Sequence, residues 1–333
     1  MKKQIILDNI IFSLQKQGGI SRYFKELLDF MLNGTNFNNI RIVNKFNNGP
    51  KLYYYIKLIL PSLFFSMRHK VWHSSYFRIA FGYNITSITT VHDLLAFRYP
   101  EYLSRALFQR FLIKRSVKHS DVIICVSDFT KKELIHFIPS SEKKKLIVLK
   151  HFVSDLFHFK DLVREDFLLF VGSRAKYKKF EDAIVLTSAL NKELVILGDS
   201  LNNEESKLLA NSNLNYRLLK NTSDQELNTL YNSCWAFVQL SIYEGFGIPL
   251  IEASRCGAAC IVQDVEYSRE VLNKSGYFFT KSILNNKNEL NNFKNLIDLD
   301  NSCKITVEER IKKSLEYTKK SWQKSIYDLH INI

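Results

Sequence analysis

"LSIYEGFGIPLIEASRCGAAC", Leu240 to Cys260, sets two carboxylates, Glu244 and Glu252, around a turn built from Gly245, Gly247 and Pro249. Ahead of it, Trp235–Leu240 is an apolar run that reads as a buried strand. Behind it, Pro249 suits the first helical position, where its missing N–H costs nothing, and Gly257 suits the helix stop. Strand, glycine turn and helix start therefore follow one another directly. In open α/β sheets ligands bind at that end of the strands. Free amides at a helix start attract anions and hydroxyl oxygens, and Gly247 lets a ligand approach the backbone. Glu252 is expected in the first helical turn and Glu244 in the loop before it. Carboxylates accept hydrogen bonds in pairs, which suits the vicinal hydroxyls of a ribose or a sugar. A helix-dipole carboxylate and a solvated loop carboxylate fit the same spacing equally well.

The pattern around this turn repeats along the chain. Short apolar, β-branched runs alternate with amphipathic helical segments. Strands are expected at Ile5–Leu7, Ile40–Val43, Val71–His73, Ile88–Val91, Val122–Val126 and Leu146–Leu149. A second set falls at Phe167–Val171, Leu194–Leu197, Tyr216–Leu219, Trp235–Leu240 and Ala259–Val262. Helices fit between most of them. Tyr23, Leu27, Phe30 and Met31 share one face after Gly19, Asp128 is placed to cap another helix, and Ser223 with Glu226 forms a capping-box pattern. Such alternation implies parallel sheets covered on both faces. The expected fold is α/β: two doubly wound, Rossmann-like domains, residues 1–158 and 159–333, facing each other across a cleft. A last helix around Glu308 to Tyr327 is expected to pack back across both.

The 333 residues favour two domains, and the 46% hydrophobic content argues against disorder. "MKKQIILDNIIF" reads as a first strand rather than a signal peptide, because Asp8 and Asn9 interrupt its apolar run. No apolar stretch is long enough to span a bilayer. The five cysteines show no metal-ligand spacing and are expected to be reduced thiols of a cytosolic protein. The net charge is +14 and is unevenly placed. Up to His158 the chain carries 24 Lys+Arg against 10 Asp+Glu, and beyond it 23 of each. Solvated lysines account for such a bias, as does an anionic partner of the first domain. Within it, "KLYYYIKLILPSLFFSMRHK", Lys51 to Lys70, crowds Tyr, Ile, Leu, Phe and Met67 between cations. Lys57 and Pro61 interrupt it, so it fits a buried helix pair or a segment lying in a membrane interface.

The extended motif "SIYEGFGIPLIEASRCGAACIV" resembles the donor site of retaining glycosyltransferases of family 4, which have the two-domain GT-B fold. The resemblance implies that Glu252 binds the donor ribose and that Glu244 lies against the sugar and its reacting centre. It also implies that the backbone amides of Phe246 and Gly247 face sugar and phosphate oxygens. Other segments agree. "QKQGGISRYF" is similar to the family's first glycine loop, so Gly18 and Gly19 would admit the donor diphosphate or the acceptor. "TTVHDLLAFRYPEY" resembles its His-Asp segment, which puts His92 beside the donor sugar; Asp93 is also placed to cap the next helix. "FVGSRAKYKKFEDAI" resembles the basic turn that grips the diphosphate, with Lys178 at the family lysine and Arg174 as its partner. "SDVIICVSDFTKKEL" is similar to a stretch that shapes the first domain. Two departures are Leu240, where the family often has proline, and Lys179, where the turn commonly has Asn or Gly.

The resemblance implies transfer of a sugar from a nucleotide-diphosphate sugar, with retention at the anomeric carbon and no metal. It is nearest to enzymes building O-antigen or capsule repeats, often from GDP-mannose or related GDP-sugars. The expected acceptor is a glycan linked to a polyprenyl diphosphate, and the expected place is an anionic membrane surface on the cytoplasmic face. "DLD", Asp298–Asp300, has the spacing of metal-dependent transferases but is read as loop. A sugar-nucleotide epimerase would need added acid–base residues around the sugar. A nucleic-acid-binding protein would leave Glu244, Glu252 and the glycine turns unexplained, so no nucleic-acid partner is expected.

Overall fold

The computed structural model describes residues 3–15, 18–33, 37, 39–43, 51–65 and 68–333. The chain forms two units, Met1–His151 with Lys320–Ile333, and Phe152–Lys319. The first holds β1 (Gln4–Asp8), β2 (Ile40–Val43), β3 (Ser62–Phe64), β4 (Lys70–Ser74), β5 (Ala80–Gly82), β6 (Ile85–Val91), β7 (Val122–Cys125) and β8 (Lys145–Val148). Six of these make a parallel sheet in the order β2-β1-β4-β6-β7-β8, and β3 pairs with β5 separately. Every residue of β4 and of β7 is buried. That is the burial expected of inner strands covered on both faces; β7 is accordingly apolar throughout, while β4 buries Lys70 and His73 as well.

The second unit holds β9 (Phe167–Val171), β10 (Glu193–Leu197), β11 (Tyr216–Leu219), β12 (Ala236–Gln239), β13 (Cys260–Gln263) and β14 (Gly276–Phe279). Its parallel sheet runs β11-β10-β9-β12-β13-β14. Counted from β9 as one, this is the dinucleotide-fold order 3-2-1-4-5-6, which reverses between β9 and β12. Leu168, Ile196, Val238 and Ile261 point into one core with Phe180 and Ile184 of the helix Phe180–Ala189.

The expected strands all appear, within one to three residues at their ends. β3, β5 and β14 were not anticipated, since each is short and lacks a clear alternating pattern. The boundary lies seven residues before the expected one. Val153 N–H donates to the Tyr317 carbonyl, Phe157 is buried against Tyr231, and His158 N–H donates to Asn228, so this segment belongs to the second unit. The expected last helix is two helices, Lys304–Ser314 and Lys319–Asn332. The carbonyls of Ser314 and Tyr317 at the break accept from Arg255, which replaces the helical partners they lose. The first-unit helix Asp128–Phe137 is capped by Ser127, whose hydroxyl accepts from Thr130 N–H, and not by Asp128. Ser223 and Glu226 form the capping box as expected. Asp298 and Asp300 are not in a loop but in the helix Lys287–Ser302, started by an Asn286 cap. They accept from Trp235 Nε1 and the Tyr277 hydroxyl, so both are spent on packing that helix.

Lys51 to Lys70 divides into the helix Lys51–Ile59 and β3. Tyr54 and Leu58 enter the core, while Ile56, Ile59, Leu60, Leu63 and Phe65 are exposed. Met67 lies outside the described residues.

Four histidines, His73, His92, His151 and His330, are buried in the first unit. His330 Nδ1 lies 2.9 Å from the Ile326 carbonyl, which only accepts. Its Nε2 therefore accepts from His73 Nδ1 at 3.1 Å, and His73 Nε2 accepts from the Thr90 hydroxyl at 3.0 Å. With both rings neutral, this relay joins the C-terminal helix to β4 and β6. Burial holds His73 and His92 well below the usual histidine range, His330 at about 4 and His151 at about 3. Because the folded values lie below the unfolded one, stability is fully present above about pH 6.5 and is lost as pH falls below it. Each ring adds up to about 1.4 kcal/mol per pH unit to that slope. Urea midpoints should therefore be nearly level from pH 7.5 to about 6.5 and fall steadily from there to pH 5; a level profile across pH 6.5 to 5 would contradict neutral burial of these rings.

Candidate active site

The order reversal between β9 and β12 sends their following loops apart and leaves a crevice outside the strand ends. After β9 the chain turns through Gly172 and a single 3-10 turn, Lys176–Lys178, into the helix Phe180–Ala189. After β12 it passes Ser241 and Glu244 and enters the helix Ile248–Arg255. A backbone hydrogen bond from Ile242 N–H to the Tyr177 carbonyl, 2.9 Å, ties the two turns together. Across that tie Lys178 Nζ lies 2.8 Å from Glu244 Oε1. Both side chains keep some exposure, 17% and 20%, so the pair opens to solvent at the strand ends.

Gly247 is the N-cap, with φ at 94° in the left-handed region. A Cβ there would lie 3.3 Å from Leu250 Cδ1 and 3.6 Å from the Tyr267 ring, so both backbone and space favour glycine. Phe246 is buried and meets Tyr317 edge-on at 5.4 Å. Its ring is thus a packing anchor, and any contact with a ligand falls to its backbone. Pro249 stands second in the helix, one place beyond the expected first position, and Glu252 is not in the first turn: no acidic residue lies there. The helix starts at Ile248, so Glu252 is its fifth residue. It is 2% exposed, and the Tyr231 hydroxyl lies 3.5 Å from its Oε2. Burial first, and next the Glu252 carboxylate, push that hydroxyl far above the usual tyrosine range.

Arg174 was expected beside Lys178, and the structure engages it differently. Its Nη2 donates to the Asp199 and Ser200 carbonyls at 3.0 and 2.8 Å, and its Nε lies 2.9 Å from Glu205 Oε2. The guanidinium thus braces the β9 turn against the loop after β10. Gly198 accommodates this, since a Cβ there would sit 2.8 Å from the Gly172 carbonyl oxygen and 3.1 Å from Arg174 Nη1. Lys179 adopts φ 53°, ψ 46° as N-cap of the next helix. That left-handed position is one Asn and Gly occupy at lower cost, which accounts for the residues common there; nothing in the structure explains the lysine.

In the first unit, His92 follows β6 directly. It is buried, stacks on His151 at 5.7 Å and meets Tyr23 edge-on at 5.1 Å. Its Nε2 has no hydrogen-bond partner among the described residues. Asp93 accepts from Leu95 N–H at 3.1 Å, one residue ahead of the N-cap position, which Leu94 holds without a side-chain cap. Gly19 opens the helix Gly19–Asn33, and a Cβ built on it meets nothing within 4 Å. Gly18 is different: a Cβ there would strike the Gln15 side chain at 2.3 Å.

The structure thus brings Lys178, Glu244 and the Gly247 helix start together in the second unit. It sets Arg174 and Glu252 among other partners, and leaves His92, Gly18 and Gly19 in the first unit. Ser241 escaped the sequence reading, although it sits three residues before Glu244 in the same motif; its hydroxyl donates to Glu244 Oε1 at 2.9 Å.

Residues 154–313 match the family model "Glycosyl transferases group 1", and residues 34–153 match "Glycosyltransferase Family 4". The O-antigen chain mannosyltransferase RfbU of Salmonella typhimurium is 29% identical over 195 residues, 57% of this chain and 55% of that protein. The O-antigen chain mannosyltransferase B of Escherichia coli is 26% identical over 221 residues, 57% of this chain and 56% of that one. The chain thus spans about half the length of these curated relatives. Among solved structures, a sucrose-phosphate synthase from Thermosynechococcus elongatus aligns over 99% of both chains with a TM-score of 0.76 at 15% identity. WaaG, a glycosyltransferase involved in lipopolysaccharide biosynthesis, aligns over 98% of this chain and 99% of its own with a TM-score of 0.69 at 13% identity. At such identities the structures show the fold alone, and that fold is GT-B.

Gly247→Ala should cost about 1–2 kcal/mol, from left-handed backbone strain in a residue with a Cβ. Urea unfolding at neutral pH measures it, and an unchanged midpoint would show that the turn relaxes.

Proposed function

Since the chain belongs to the glycosyltransferases, joining a family 4 to a group 1 domain, we propose that it moves a sugar from a nucleotide-diphosphate sugar to a glycan acceptor. The donor is a GDP-sugar such as GDP-mannose, and the product serves cell-surface polysaccharide synthesis. The named activity of the O-antigen relatives supports the sugar and the setting. The observation that carries the chemistry is the Lys178–Glu244 pair beside the helix start at Gly247.

A leaving nucleoside diphosphate gains charge as the glycosidic bond breaks. Fixed cations and amides at its oxygens stabilise that charge without reorganising. Lys178 and the amides at the start of the helix Ile248–Arg255 supply both in one place. No metal is required for that step. Arg174 contributes by holding the turn that carries Lys178. Glu244 faces the sugar and its reacting centre, and Glu252 takes the ribose hydroxyls. His92 is neutral at working pH, so its unpartnered Nε2 is able to bind a sugar hydroxyl without repelling a cationic centre. Retention follows if the departing phosphate accepts the acceptor's proton on the face it leaves.

The acceptor in this proposal is linked to a polyprenyl diphosphate, and the enzyme is peripheral on the cytoplasmic face of an anionic membrane. Among the described residues no helix is long and apolar enough to cross a membrane. Exposed Ile56, Ile59, Leu60, Leu63 and Phe65 instead give the positively charged first unit an apolar face. Such a face lies in a lipid interface, and nearby cations add about 1 kcal/mol each on anionic lipid.

GDP-mannose at about 100 times its dissociation constant should stabilise the protein by ~2.7 kcal/mol in a thermal-shift assay. Lys178→Ala should slow transfer by roughly 10²–10³-fold, Glu252→Ala should weaken donor binding, and EDTA should leave activity intact. Loss of activity with EDTA and its return with Mn²⁺ would count against the metal-free step. Sedimentation with anionic liposomes at low salt, reversed at high salt, is expected of the wild type. A Leu63→Ser/Phe65→Ser variant should stay in the supernatant, and equal, negligible binding of the wild type to anionic and neutral vesicles would remove the membrane from the proposal.

A further inference from the structure

Glu244 is held through one oxygen only. Lys178 Nζ and Ser241 Oγ both donate to Oε1, at 2.8 and 2.9 Å. Among the described residues Oε2 has no hydrogen-bond partner. The two donors differ in kind. Lys178 ends a flexible stem, and its Nζ lies 4.0 Å from where a Cβ on Gly172 would be, above the turn that follows β9. Ser241 is buried, and its carbonyl accepts from the Tyr267 hydroxyl at 3.0 Å. Tyr267 is buried in turn, with Gln239 Nε2 3.5 Å from its hydroxyl. Its ring also lies against Gly247, so one tyrosine props the loop from Ser241 to Gly247 near both ends.

This inference rests on the reading of Lys178 as a diphosphate ligand. We propose that Ser241 is the positioning residue of Glu244, fixing Oε1 once a donor diphosphate has drawn Lys178 off the carboxylate. In the free protein the ammonium neutralises Glu244. A diphosphate carries more charge than one carboxylate and competes for the same ammonium. Were Lys178 the only holder, donor binding would release Glu244 at the moment it is needed. The serine hydroxyl stays, because its backbone is clamped by Tyr267, and it keeps Oε2 turned outward to the sugar. Nucleotide binding and the orientation of Glu244 are thereby separated between two donors to one oxygen.

Two sets of variants test this on the full chain. In the first, GDP and UDP are titrated calorimetrically. Glu244→Gln should tighten binding of the preferred nucleotide by roughly 3- to 10-fold, the order of a partly exposed ion pair. In a Lys178→Met background the same change should have no effect. Tightening that persists there reflects plain charge repulsion and would overturn the exchange. In the second set, Ser241→Ala should bind the nucleotide within about twofold of wild type. Its saturated rate of mannose release from GDP-mannose should nonetheless fall roughly 10-fold, the loss of one hydrogen bond to a charged group. An unchanged rate, or a parallel loss of rate and nucleotide affinity, would overturn the positioning role. A wild type that binds neither nucleotide would instead remove the glycosyltransferase site on which the inference rests.

Discussion

Lys178 and Glu244 meet because the order of a parallel sheet reverses between β9 and β12. The two residues are 66 apart in the chain, and no local preference brings them together. Each comes from a turn that must leave the sheet at its carboxyl end, since parallel strands need a crossover to return. Where neighbouring crossovers go to opposite faces, their first residues flank a gap. The backbone bond from Ile242 to Tyr177 fixes the width of that gap. An ion pair placed there is shielded enough to matter and open enough to be exchanged. The same two residues at the opposite end of these strands would meet tight returns and no helix starts.

The helix that begins at Gly247 is useful only if it does not move. Its far end is held by buried guanidinium groups. Arg255 donates to the carbonyls of Val153, Ser314 and Tyr317, and Arg164 and Arg310 both donate to the Gly257 carbonyl. Ser314 and Tyr317 lie at the end of the helix Lys304–Ser314, where carbonyls lose their helical partners, and Gly257 lies just past the end of the helix Ile248–Arg255. The buried Arg255 and Arg310 are thus satisfied by carbonyls, an amide oxygen and a hydroxyl rather than by carboxylates. Arg310 also donates to the Tyr277 hydroxyl, which donates to Asp300. The "DLD" segment is in this way part of the support of the helix.

The architecture was legible because its signals are local: apolar runs of strand length, glycine turns and capping residues. Ser223 with Glu226 shows this, since the whole capping box lies within four residues. What the sequence did not disclose depends on partners far along the chain. Arg174 looks like a free cation in "GSRAKYKK", yet it donates to the Asp199 and Ser200 carbonyls in the loop after β10 and pairs with Glu205 in the helix that follows. Ser127 outcompetes Asp128 as a cap by one residue, a shift smaller than the pattern resolves. The break before Lys319 carries no proline or glycine. It arises where Arg255 takes the carbonyls of Ser314 and Tyr317. In the site, the motif named Glu244 and Lys178 separately, but their contact is a property of strand order, and strand order was not read from the sequence.

The two units spend their charged and titratable groups in opposite ways. The second buries Arg255 and Arg310 against backbone carbonyls. The first buries four histidines neutral, with His73 and His330 joined ring to ring. A neutral ring that accepts on one nitrogen and donates on the other is specific about its partners, since protonation turns the acceptor into a second donor. The contact that attaches the C-terminal helix to β4 is therefore lost once both rings are protonated, since neither nitrogen facing the other is then an acceptor.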